Sequence, residues 1–136
     1  MKKLLLSLLK EKVPGVLRIF VMNVEALSTA KGTSYLAALL KKSNTFLAID
    51  ESTAIKNPKA KRTKTIIKMG KGIKYKRILT GSPVTQSPLD LWAQCNFLSP
   101  TLLGETGDNF FQYQYRFAIM KKTTVGANSF NMIVGY

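Results

Sequence analysis

Short apolar runs alternate along the chain with helically spaced apolar positions, a rhythm that predicts an α/β layer fold. An amphipathic helix is expected over about Lys2 to Lys12, closed by Pro14-Gly15, and a buried strand over Val16 to Met22 (VLRIFVM). Thr33 to Lys42 (TSYLAALLKK) reads as a helix with lysines in its last turn, where they suit the helix dipole. Thr45 to Ile49 is the second strand, and it delivers Asp50 and Glu51 at its carboxyl end. The next helix has Asn57 as cap, Pro58 in its first turn and Gly70 as its stop. Ala60, Thr63, Ile66 and Ile67 form its inward face, and Lys61, Lys64 and Lys68 fall on another side. Tyr75 to Leu79 is a third strand, leading into Thr80-Gly81-Ser82-Pro83. Ser87-Pro88-Leu89-Asp90 opens a helix that buries Leu89, Trp92, Ala93 and Phe97 and stops near Ser99-Pro100. Asp108 to Tyr115 is a short aromatic helix and Phe130 to Val134 a last strand; there is no internal repeat.

A chain of 136 residues is enough for one domain with one core. Its 21 Lys and Arg against 7 Asp and Glu give a net charge of +14, more than solubility needs, and point to a polyanionic partner. The absence of histidine removes Ser-His-Asp and Cys-His catalysis and most zinc sites. The single cysteine, Cys95, has no partner for an internal disulfide and reads as a packed small side chain, so a cytoplasmic protein is expected. The run Leu4 to Leu9 is too short for a signal peptide or a membrane span. A surface helix is the better reading, with membrane-surface binding as a lesser alternative.

Two of the seven acids stand side by side where a strand ends, and ligands of open parallel sheets bind beyond the carboxyl ends of strands. Phosphate hydrolysis asks for such a pair: Asp50 to hold a magnesium ion through water, and Glu51 to orient or deprotonate the attacking water. The competing reading is an ordinary acidic turn, with Lys56 pairing one of the two acids. At the end of the neighbouring strand, Thr80, Gly81 and Ser82 either bond to the carboxylates or form a simple turn. Lys59, Lys61, Arg62, Lys64 and Lys68, with Lys71, Lys74, Lys76 and Arg77, make a basic stretch suited to a phosphate backbone. Its bland alternative is a solvated helix face. Trp92 and the aromatics from Phe110 to Phe117 are possible base-stacking platforms, but the spacing of Trp92 beside Leu89 and Phe97 favours the core.

Three segments together resemble the first motor lobe of Swi/Snf-type superfamily-two helicases and DNA translocases, most of all the small phage-encoded members. VMNVEAL (21–27) resembles the family's Asn-Tyr-Glu segment, IDESTAIKNPKAKR (49–62) its Asp-Glu-x-x box, and RILTGSPVTQSPLDLWAQCNFLSP (77–100) its Leu-Thr-Gly-Thr-Pro box with the following helix. The resemblance covers most of residues 16–117. It implies a three-layer RecA-like (P-loop NTPase-type) fold with a mostly parallel sheet and flanking helices. Residues 1–136 would form an incomplete N-terminal helicase ATP-binding lobe that uses ATP and Mg2+ and acts on double- or single-stranded DNA.

By the same resemblance, Asp50 matches the magnesium-associated aspartate and Glu51 the catalytic glutamate. Thr80, Gly81 and Ser82 match the segment that couples hydrolysis to movement, and Gln86 falls near a polar nucleic-acid position after it. Thr53, in the coupling position of the acidic box, stands where histidine is frequent; Ser82 replaces threonine and keeps the hydroxyl. A phosphate loop of the form G-x-x-x-x-G-K-[ST] does not occur, and Ala30-Lys31-Gly32-Thr33-Ser34 has the residue types in the wrong order. The expectation is therefore a fragment whose missing motor segments lie in the same or a neighbouring chain. The alternative is a stand-alone, non-catalytic basic module that binds nucleic acid.

Overall fold

The computed structural model describes residues 15–42 and 44–136, so the helix expected over Lys2 to Lys12 lies outside the described residues. Among the described residues four α-helices and four strands follow in order: α1 (Ala30–Lys42), β1 (Phe46–Ile49), α2 (Lys61–Gly70), β2 (Tyr75–Ile78), α3 (Asp90–Leu98), α4 (Phe110–Phe117), β3 (Ile119–Val125) and β4 (Asn128–Gly135). Tight 3-10 turns at Val24–Ser28 and Ser52–Ile55 lead into α1 and α2. Among the described residues no helix is long and apolar enough to cross a membrane.

β1 and β2 pair in parallel, Phe46 opposite Tyr75 and Ile49 opposite Ile78. Because side chains alternate along a strand, Leu47, Ile49, Lys76 and Ile78 share one face and Phe46, Ala48, Tyr75 and Arg77 the other. The first face carries the core, where Ile49 packs with Leu27, Leu36 of α1, Ile55, Ile66 of α2 and Phe97 of α3. The second face is open, with Phe46 58% and Tyr75 57% exposed. The α/β class with a parallel sheet holds; the described residues cover one face of that sheet with helices.

Val16 to Met22, expected as a strand, forms none, and Val21 is 94% exposed. An apolar run creates a demand for burial but does not choose a partner: among the described residues β1 pairs with β2 alone, and the run adds to neither outer edge. α1 starts at Ala30, three residues earlier than expected, because the Thr29 hydroxyl accepts from Gly32 N at 3.0 Å and caps it. Gly32 is there for space: a Cβ would sit 2.1 Å from the Ala26 carbonyl oxygen, so this glycine belongs to a helix packed on a turn. α2 starts three residues beyond Pro58. Asn57 Oδ1 takes Lys59 N at 2.9 Å, so it caps the turn before the helix and leaves Ala60 as the helix boundary. β3 was not expected at all; it pairs antiparallel with β4, which is longer than Phe130 to Val134, through a turn at Gly126-Ala127.

The loop between β2 and α3 is held by one carboxylate. Asp90 Oδ2 accepts from Thr85 N (3.0 Å), Thr85 Oγ1 (2.8 Å), Gln86 N (2.9 Å) and Lys56 Nζ (3.3 Å), and Lys56 also meets the Thr85 hydroxyl. Lys56 thus pairs with Asp90, not with the acids at the end of β1. Burial raises the Asp90 pKa, but the bonds from Gln86, Thr85 and Lys56 outweigh it and hold the carboxyl at about 2, against an ordinary 3.8. A depressed carboxylate contributes stability that is complete above its unfolded value and lost as pH falls through its folded one. Asp90→Asn is therefore expected to destabilise the chain by about 1–3 kcal/mol at neutral pH in urea denaturation. That deficit should shrink between pH 4 and pH 2. A deficit that stays constant over this range contradicts the assignment.

Candidate functional site

Asp50 and Glu51 follow directly on β1, and both are exposed. Asp50 Oδ1 accepts from Glu51 N at 2.9 Å. Glu51 has φ 49° and ψ 56°, and it is the one non-glycine residue with positive φ among the described residues. A left-handed glutamate costs on the order of 1 kcal/mol and persists because its neighbours hold it. The reversal at Glu51 lets Ser52 N donate to Leu79 O at 3.0 Å, while Leu79 N donates to Ile49 O at 2.9 Å. Both strand ends are thereby stitched beyond the last ladder pair, and the acidic box lies beside the Thr80-Gly81-Ser82-Pro83 segment.

A second link runs through side chains. Ser52, fully buried, donates from Oγ to Gln94 Oε1 at 2.6 Å. Gln94 of α3, also fully buried, donates from Nε2 to the carbonyls of Pro83 and Asp90, both at 2.8 Å. One amide therefore spans the residue after the Asp50-Glu51 pair and the proline that closes the next box. Behind it, Thr63 donates to Ile55 O (3.2 Å) and Arg62 Nε to Ala54 O (2.7 Å), fixing α2 against the 3-10 turn that carries Thr53. Arg62 also pairs with Glu25 at 3.0 Å, which joins the Asn23–Glu25 segment to the same frame.

The hydroxyls expected to couple bond within their own loop. Thr80 Oγ1 accepts from Ser82 N (3.3 Å), and Ser82 Oγ donates to Val84 O (3.0 Å). Gly81 is exposed, with nothing within 4 Å of the place a Cβ would take. The connection to the acids runs instead through Leu79, Ser52 and Gln94. Gln94 was missed; the available signal was an amide on a helix face otherwise filled by Leu89, Ala93 and Phe97.

Lys61, Lys64 and Lys68 stand exposed along α2, and Gln86 is exposed at the loop with its backbone N–H donated to Asp90. Trp92 packs edge-on against Phe110 at 5.4 Å and 68°, as a packing residue does, and its indole N–H is buried without a partner. No group of three or more His, Cys, Asp or Glu among the described residues forms a metal cage. Two adjacent exposed carboxylates fit instead a magnesium ion that keeps most of its water.

The chain matches the model of the SNF2-related domain over residues 6–135. It is 30% identical over 90 residues to Protein CHROMATIN REMODELING 24 of Arabidopsis thaliana, covering 66% of the chain and 8% of that protein. To TATA-binding protein-associated factor MOT1 of Saccharomyces cerevisiae it is 34% identical over 80 residues, 59% of the chain and 4% of the relative. To the SWI/SNF-related matrix-associated actin-dependent regulator of chromatin subfamily A-like protein 1 of Drosophila melanogaster it is 30% identical over 88 residues, 65% of the chain and 11% of the relative. The chain spans about a tenth or less of each, and all three are eukaryotic, so the phage-type likeness finds no support among them. No solved structure matches. With the match running over nearly the whole chain and the fold a parallel α/β unit, the protein belongs to the SNF2-related domain family.

Proposed function

We propose that this chain is part of the first lobe of an ATP-dependent DNA translocase or helicase. What carries the reading is the pairing of two boxes at one sheet end: the Asp50-Glu51 pair and the Thr80-Gly81-Ser82-Pro83 segment, joined through Ser52, Leu79 and Gln94. Asp50 would hold magnesium through water, and the ion, when bound, would neutralise phosphate charge. Glu51, exposed and held in its turn, would orient the attacking water and take its proton. A change at the phosphates would reach Pro83 through Ser52 and Gln94, and so move the loop carrying Thr80, Ser82 and Gln86. Thr53 would contribute to the same coupling from the turn packed on α2. The remaining parts of the motor, the phosphate loop and the second lobe, would come from the same or a neighbouring chain.

DNA would meet the lysine side of the molecule. The relatives' names speak of chromatin and of a TATA-binding protein, and a +14 chain with Lys61, Lys64 and Lys68 exposed in a row suits a nucleic-acid backbone. That row also favours a second reading, a basic module that binds nucleic acid without hydrolysis. ATP dependence separates the two.

In the complete motor, Glu51→Gln should lower DNA-stimulated hydrolysis by at least about 100-fold, the usual weight of a general base, and leave nucleotide binding in place. Full turnover in that variant contradicts the role given to Glu51. The 136-residue chain alone, which has no phosphate-loop motif, should release no phosphate from ATP. Turnover that Glu51→Gln removes would overturn this second expectation.

A further inference from the structure

The basic side of the molecule continues past the residues just described. Lys61, Lys64, Lys68 and Lys71 follow one another at spacings of three, four and three, which places them on one flank of α2 and the helical residue after it. At 1.5 Å per residue that flank is about 15 Å long. It ends at a cleft of about 400 Å³ lined by Ile67, Lys71, Lys76, Asn96, Leu98 and Ser99. α2 and α3 both run back from the carboxyl ends of the strands, so their last residues, with this cleft, lie at the opposite end of the sheet from Asp50 and Glu51.

Lys76 is the unusual member of the lining. It stands on the covered face of β2, and its ammonium lies 5.7 Å from the centroid of the Phe97 ring, itself 1% exposed. Gly70 makes this packing possible, since a Cβ there would lie 3.0 Å from Phe97 Cε2 and 3.6 Å from Lys76 Cδ. The end of α2, the ring and the lysine stem close on one another and leave the charged tip at the cleft. Burial lowers the Lys76 pKa from its ordinary value, which is the mark of a cation short of water. Lys56 pairs with Asp90 and Arg62 with Glu25, and neither Lys71 nor Lys76 forms an ion pair among the described residues.

Two ammonium groups in one cleft, one of them partly desolvated and neither neutralised, are stabilised by an anion that brings oxygen acceptors with it. We propose that the cleft anchors a phosphate of a DNA backbone whose neighbouring phosphates run along the Lys61–Lys71 flank. The phosphates of one duplex strand wind about the axis, so a straight flank of ~15 Å meets about two or three of them, a regular spacing of charge that the row of lysines can follow. The inference deepens the DNA reading of the lysine face and does not depend on ATP.

Binding of a labelled DNA duplex to the full chain, followed by fluorescence anisotropy over a series of salt concentrations without ATP, tests it. Lys71→Gln with Lys76→Met should weaken binding about three- to tenfold and reduce the salt slope by about two. Lys121→Gln with Lys122→Gln, the same charge loss on the β3–β4 hairpin, should change affinity less. Lys71→Gln alone, on an exposed side chain, should reduce the slope by about one and guards against a Lys76 variant that fails to fold. A cleft variant that binds like the parent overturns the proposal, as does a loss equal to that of the hairpin pair. So does a cleft that takes up inorganic pyrophosphate while duplex binding ignores Lys71. Loss with Lys61→Gln, Lys64→Gln and Lys68→Gln but not with the cleft variants would keep the helix-face reading and remove the cleft. Loss with the cleft variants alone would do the reverse.

Discussion

A fully buried amide is tolerated only when its donors and acceptor are all used, and the geometry around Gln94 follows from that demand. Its oxygen takes the Ser52 hydroxyl and its nitrogen serves Pro83 and Asp90. α3 therefore has one rotational setting against β1 and one against the β2–α3 loop. The Asp90 cluster sits four residues away, one helical turn, and uses its carboxylate to gather Thr85, Gln86 and Lys56 into the same loop. Leucine at position 94 would pack the helix but leave Ser52 and the Pro83 carbonyl seeking other partners.

The hydrophobic frame explains why so polar a link is stable. Phe97, Ile66, Ile49 and Leu36 close one face of a two-stranded parallel sheet, and the strands are too short to stand without that cover. The opposite face, with Phe46 and Tyr75, carries no helical layer from the described residues. Acidic and basic groups then separate along the sheet. The exposed acids stand at the carboxyl end of β1, whereas Lys71 and Lys76 share a cleft at the amino end of β2, and the lysine flank of α2 runs between the two levels.

Much of this was legible in the residues. FLAI running into Asp50-Glu51, and YKRI running towards Thr80-Gly81-Ser82, identify strand ends because a short apolar or β-prone run stops where polar turn residues begin. The inward set Thr63 and Ile66 and the outward set Lys61, Lys64 and Lys68 follow from helical period alone. What failed depended on tertiary partners. VLRIFVM has the composition of a buried strand, but pairing is a property of the neighbour and not of the run. Asn57 and Pro58 are sound helix openers, yet the turn they form closes before the helix. β3 was hidden because Lys121-Lys122 interrupts its apolar alternation, and the cross-strand partners Met132 and Asn131 lie eleven and nine residues on. Gln94 shows locally as an amide on an apolar helix face, but its hydroxyl partner does not: Ser52 is 42 residues away.

The acidic box and the Thr80-Gly81-Ser82-Pro83 segment are tied together through the buried hydrogen bond that Ser52 and Gln94 share. A double-mutant cycle in urea denaturation, with Ser52→Ala, Gln94→Leu and the two combined, measures that bond directly. The predicted result is a coupling energy of about 1–3 kcal/mol, the combined variant losing less than the sum of the single ones. Additive losses, within about 0.3–0.5 kcal/mol, would mean that the two residues stabilise the chain independently and that the boxes are not linked through them.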